Sequence, residues 1–265
     1  MIIRLEDSFE TLSQKEWNEY LSTKIFDDMS IEESSLSVFH DSFEKIYKLK
    51  QCEVIKDHNN KVGMLKITYA LCRHYFDKGI PDEPYYISPG KTGQSVEYFP
   101  KFNEEHWMRK YWFNYFSDVF YLKMSALWDS VYEIIDEFYQ YELERNLNFK
   151  KAVLERLKTD NPNLHKLLKE ICDNKLYKDG QKYRIAAAHG TSIGEVKDPI
   201  KVQHNVATEI PYITNGKVTM KKVNAQTVIK IEVGNYVNVS TIMKHIEEYS
   251  KFVGGKIHEI TALLQ

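Results

Sequence analysis

Cysteine is scarce. The three in this chain of 265 residues, Cys52, Cys72 and Cys172, are far apart and form no Cys-x-x-Cys pair, which excludes a disulfide framework and a thiolate metal site. They read as reduced thiols in a core. The nine histidines include no His-Glu-x-x-His and no Cys/His cluster, so a zinc site lacks its ligands. No run approaches the 18 or so apolar residues of a membrane span, and the start, Met1 to Asp7, lacks the basic-then-apolar pattern of a signal peptide. A cytoplasmic chain without a membrane partner is expected. Neither a Gly-x-Ser-x-Gly elbow nor a dinucleotide-binding glycine fingerprint occurs. Gly90-Lys91-Thr92 has Tyr85 where a phosphate-binding loop needs its first glycine, and Pro81-Asp82 lacks the spaced Glu-x-Lys of a metal-dependent nuclease. The expectation is no metal and no cofactor.

Glycine and proline are also few, and three glycines and four prolines fall between residues 79 and 103, which should form a long loop. Elsewhere apolar residues recur at steps of three and four. Ser13-Gln14-Lys15-Glu16 is a capping box before a first helix, Ser30-Ile31-Glu32-Glu33 another before a second, and the turn-like Asp57-His58-Asn59-Asn60 separates the second from a third. Residues 107–147 contain no glycine or proline and read as one helix near 60 Å long at about 1.5 Å per residue. Helices over residues 149–157 and from Pro162 follow, the latter with Asn161 as N-cap. After Gly194 the period changes to two. Asn215-Gly216 signals a hairpin between Glu209–Ile213 and Lys217–Met220, Thr227–Val233 reads as a third strand, and a last helix starts near Asn238 or Ser240.

Charge is divided unevenly. Residues 1–149 hold 17 Lys and Arg against 26 Asp and Glu, and residues 150–265 hold 19 against 12. Ten basic residues meet five acidic ones between Lys150 and Arg184. Such a field attracts a polyanion to the C-terminal half; equally, the two halves can attract each other, within one chain or across a dimer.

The basic stretch leads into Asp179 to Gly194, a short helix with Asp179 as N-cap, three alanines (Ala186 to Ala188), and Gly190 or Gly194 as a left-handed cap. Arg184 and His189 are five positions apart, about 140° of rotation beyond a full turn, so they do not stack on one stripe. Two copies meeting across a two-fold axis would gather two arginines and two histidines in one cleft. The bland alternative is a capping or core histidine and a surface arginine.

Arg184-Ile185-Ala186-Ala187-Ala188-His189 resembles the Arg, four-to-six-residue gap, His motif of the HEPN superfamily, and the aromatic helix before it resembles that family's first bundle helix. The likeness spans roughly residues 105–265. It implies a mainly α helical bundle of HEPN type, here with a small antiparallel β insertion at about 200–234 before the last helix, preceded by an N-terminal helical region, 1–104. It also implies a homodimer and a metal-independent endoribonuclease of a defence or toxin type, with single-stranded RNA as substrate and an antitoxin protein as a further partner. Arg184 and His189 would be catalytic, and Lys182, Tyr183, Thr191 and Ser192 would bind substrate. Ile185 stands where active members carry a polar residue, so the alternative is a catalytically inactive dimeric binding or assembly module of the same fold.

Overall fold

Two 36-residue helices, α2 (Ser42–Asp77) and α3 (Glu104–Tyr139), form the spine of the computed structural model, which describes residues 9–32, 42–83, 85–90, 93–197, 200–214, 217–231 and 236–264. Before them come α1 (Gln14–Leu21) and a 3-10 segment, Lys24–Met29. The Ser13 side chain accepts from the Glu16 amide and Glu16 answers to the Ser13 amide, so the first capping box forms as expected. The second runs into residues 33–41, outside the described residues. No turn interrupts α2 at Asp57–Asn60. Its polar residues bind neighbouring segments instead: buried His58 donates through Nε2 to the Met29 carbonyl (2.9 Å) and meets Ser130 Oγ of α3 at 2.8 Å, and Asn59 bonds both the amide and the carbonyl of Ile31.

α3 starts at a second reciprocal cap, with Asn103 and His106 bonded to each other's amides and Glu104 and Glu105 in the first turn, where the helix dipole favours them. It ends sooner than the pattern predicts. Gln140 turns left-handed (φ 54°) and the chain folds back, so that Asp136 accepts from the Leu143 amide while Arg145 pairs with Asp136 and covers the Phe149 ring.

Three short helices then pack in succession: α4 (Phe149–Asp160), α5 (Pro162–Asp173) and α6 (Lys175–His189). Asn161 caps α5 with Pro162 in its first turn, as the sequence predicts. The motif helix α6 starts a turn earlier than expected. Asn174 is its N-cap, accepting from the Leu176 amide, and Asp179 lies inside it. Gly190 closes α6 in an extended conformation (φ −146°) and not a left-handed one.

The loop expected at residues 79–103 contains a hairpin, β1 (Tyr85–Gly90) with β2 (Gly93–Glu97). Among the described residues the β insertion follows α6 as two strands and not three: β3 (Ile200–Thr214) and β4 (Lys217–Ile231) pair antiparallel from Ile200↔Ile231 to Thr214↔Lys217, and residues 227–231 of the expected third strand belong to β4, the rest of it lying outside the described residues. The Asn215-Gly216 turn lies outside the described residues. The last helix, α7 (Val239–Leu264), takes Asn238 as its cap.

One apolar core gathers Leu65 and Cys72 of α2, Phe120, Leu127 and Trp128 of α3, Leu164 and Leu168 of α5, and Ile246 and Val253 of α7, all fully buried. It runs across residue 104, so the helices on both sides of that point stabilise one another. At about 1.5–3 kcal/mol for each large buried side chain, this core is the main term holding the bundle together, and α6 packs against it through the partly buried Leu176, Tyr177, Tyr183 and Ala186. Among the described residues no helix is long and apolar enough to cross a membrane.

Candidate active site at the end of α6

The inner face of α6 is set by what touches it. Tyr177 lies edge-on to Trp128 (5.6 Å), and Gly180 is pressed so close to Tyr249 that a Cβ would sit 2.6 Å from the ring. Tyr183 packs edge-on against Tyr121 (5.2 Å) and His245 (4.9 Å), and Tyr121 Oη meets His245 Nδ1 at 2.9 Å. Burial pushes the Tyr121 hydroxyl well above its ordinary pKa, so it keeps its proton and donates to Nδ1; burial also holds the His245 imidazole below its ordinary value. Tyr183, expected at the substrate, is a half-buried ring in the cluster joining α6 to α3 and α7.

Beyond Tyr183 the helix emerges into solvent. Arg184 is half-buried, Ile185 is 54% exposed, and Ala188 and His189 are exposed. Arg184 and His189 take part in no hydrogen bond or ion pair among the described residues, and the helical turn sets them about 140° apart. A single chain therefore does not bring the two into one cluster. Lys182 and Thr191 are exposed as well.

Ser192 is not free. It is buried, and its hydroxyl donates to Asp118 Oδ1 of α3 at 3.1 Å. The residues beside it are equally held: Ile193 is buried and its carbonyl accepts from the Val237 amide (2.8 Å), while a Cβ on Gly194 would fall 2.2 Å from Asn114 Oδ1. Asp118 is a residue that motif reading missed. Burial pushes its carboxyl up to about 6, against the Ser192 hydrogen bond, with Glu195 raising it further and Lys197 lowering it. The available signal was a lone acid in the run Phe113–Tyr121, on the helical face that also carries Asn114 and Tyr121. That pattern reads equally as a solvated position.

The basic stretch before the motif is only partly neutralised. Lys150, Lys158, Lys166 and Lys178 pair with Asp129, Glu155, Glu170 and Asp173, whereas Lys151, Arg156, Lys169, Lys175 and Lys182 make no ion pair among the described residues and are exposed. Five exposed cations on α4, α5 and α6 leave a field for a polyanion; among the described residues the acidic and basic halves are joined by the Lys150–Asp129 pair and, away from this stretch, by Arg73–Glu247. No group of three or more His, Cys, Asp or Glu is placed to hold a metal ion among the described residues.

Residues 54–251, about three quarters of the chain, match a family model described as HEPN_Cthe2314-like HEPN. The match takes in α3, the whole of α6 and most of α2, and so starts well before the aromatic helix where the sequence likeness began. No curated protein and no solved structure matches the chain.

Proposed function

The chain belongs to this HEPN family, and from that premise we propose that it is a metal-independent endoribonuclease of a defence or toxin type, cutting single-stranded RNA as a homodimer. The observation that carries the reading is His189, exposed at the C-terminal end of α6 five residues after Arg184 and without a hydrogen bond or ion pair among the described residues, on a chain whose α4, α5 and α6 carry five exposed cations that make no ion pair among those residues. In the dimer, one His189 takes the proton of a ribose 2′-hydroxyl as its oxygen attacks the adjacent phosphorus in line. The bond from phosphorus to the 5′-oxygen breaks, the second copy's imidazole protonates that oxygen, and the Arg184 guanidinium stabilises the phosphorane. The products are a 2′,3′-cyclic phosphate and a 5′-hydroxyl. A duplex cannot reach the in-line geometry, hence the single-stranded substrate. Lys182 and Thr191 would contact the strand, and exposed Ile185 would meet the second copy.

A second reading has its own observation. Ile185 occupies the place of a polar residue and points to solvent, as suits an inactive module that only binds or assembles. Incubation with single-stranded RNA in EDTA separates the two. The nuclease reading expects cleavage by wild type and a loss of about 100-fold or more in His189→Ala and Arg184→Ala; equal cleavage by all three removes it. RNA bound but uncut, with affinity falling steeply as salt rises, establishes the binding module.

A further inference from the structure

Seven residues separate the end of α6 from the last described residue before β3, on paper a free linker. It is tied down instead. Ser192 Oγ donates to Asp118 Oδ1 (3.1 Å), the Ile193 carbonyl accepts from the Val237 amide (2.8 Å), the Glu195 amide closes a turn on the Ser192 carbonyl (3.1 Å), and Gly194 lies against Asn114 with no room for a side chain. Two of these ties reach α3 and one reaches the segment entering α7. His189 is three residues from Ser192, so whatever holds Ser192 limits where the imidazole can go.

An asparagine at position 118 would accept the same hydrogen bond without burying a charge. A carboxylate adds two things: a charge-assisted bond, about twice as strong as a neutral one, and a response to pH. The charged and titratable groups around Asp118 are Glu195 and Lys197 from the tied segment, Cys72 from α2 and Tyr121 one turn along α3. Burial pushes the Cys72 thiol and the Tyr121 hydroxyl up, so both stay neutral and leave Asp118 as the group that changes charge near neutrality.

We propose that Asp118 is a positioning residue of the α6 site, whose carboxylate anchors the turn at residues 190–195 through Ser192 and thereby fixes how His189 is presented. Its meaning for catalysis rests on the nuclease reading above; its geometry does not. Above about pH 6 the carboxylate is ionised and the anchor is strong; below that it becomes a neutral hydrogen bond and the turn loosens.

The test is hydrogen–deuterium exchange over residues 190–196, with the imidazole resonance of His189 followed by NMR, in the full chain and in Asp118→Ala, Asp118→Asn and Ser192→Ala. Removing either partner is expected to speed exchange at the turn about tenfold or more, with no further gain in the double variant, and to move the His189 resonance. Wild type should slip toward that behaviour as pH falls from 7.5 to 5 after correction for intrinsic rates, while Asp118→Asn shows no such slip. Should Asp118→Ala fail to fold, Ser192→Ala, a smaller change, carries the test. Unchanged exchange in Ser192→Ala overturns the anchor, and faster exchange with an unmoved His189 resonance overturns the positioning role. RNA cleavage is assayed separately: a wild type that cuts no RNA removes the nuclease reading and leaves the anchor standing. If it does cut, Asp118→Asn should lose the part of the pH profile that titrates near 6.

Discussion

Two carboxylates on this fold, one buried and one half-buried, are treated in opposite ways. Asp82 (2% exposed) takes Lys110 Nζ at 2.8 Å and the Val239 amide at 3.1 Å on one oxygen, while Tyr236 donates to its carbonyl at 2.7 Å. The lysine is itself 4% exposed, with its ammonium 4.8 Å from the Phe99 ring and 5.6 Å from that of Tyr236. Burial pulls the Lys110 pKa down and Asp82 pulls it back up. Asp118 has one hydroxyl and no ion-pair partner among the described residues, and its pKa rises instead. A charge compensated on every side is a strut, here fastening the start of α7 to α3. A charge left with a single donor on a turn that follows an exposed histidine in the chain costs stability where it stands, and such groups gather at functional sites.

Breaking the strut tests the comparison most severely. Lys110→Met strands Asp82 in the core, and a denaturant melt should show a loss of about 3–5 kcal/mol; the double variant with Asp82→Leu should recover most of it, because the desolvated charge is then gone. Gly194→Ala should act next most strongly. Its Cβ would overlap the Asn114 side chain, so overpacking of about 1–3 kcal/mol is expected in the same melt, together with faster exchange at the turn near Asp118. Asp118→Asn should give the smallest effect and the opposite sign. Because the folded-state pKa is raised to about 6 from an ordinary 3.8, this carboxyl contributes stability when protonated and loses it as pH rises through 6. The asparagine variant should therefore melt higher than wild type at pH 8, by about 1 kcal/mol after allowance for solvent screening, and match it below pH 4. A wild type more stable than the variant at pH 8 would put Asp118 among the struts.

What could be read before the structure was local. The helix starts at Ser13, Asn161 and Asn238 declare themselves because a short polar side chain meets its own amides within three residues, and the hairpin period of two marks β3 and β4 without any partner. Where the local rule and a distant contact disagreed, the contact won. Asp57–Asn60 looks like a helix break, but His58 and Asn59 spend their polarity on Met29, Ser130 and Ile31, so α2 runs through. The candidate site divides in the same way. Arg184 and His189 form a motif on one helix and needed no tertiary contact to be noticed, whereas Asp118 lies 74 residues from Ser192 in the chain.

Sequence alone determined the helical class, the β insertion and the Arg184–His189 pair, since each follows from periodicity or spacing within a few turns of chain. Tertiary structure alone decided that Tyr183 and Ser192 turn inward, that Ile185 faces solvent, and that buried Asp82 is paired with a lysine while half-buried Asp118 has no ion-pair partner among the described residues. Those outcomes depend on which helix lies against which, and that is a property of the closed core rather than of any segment in it.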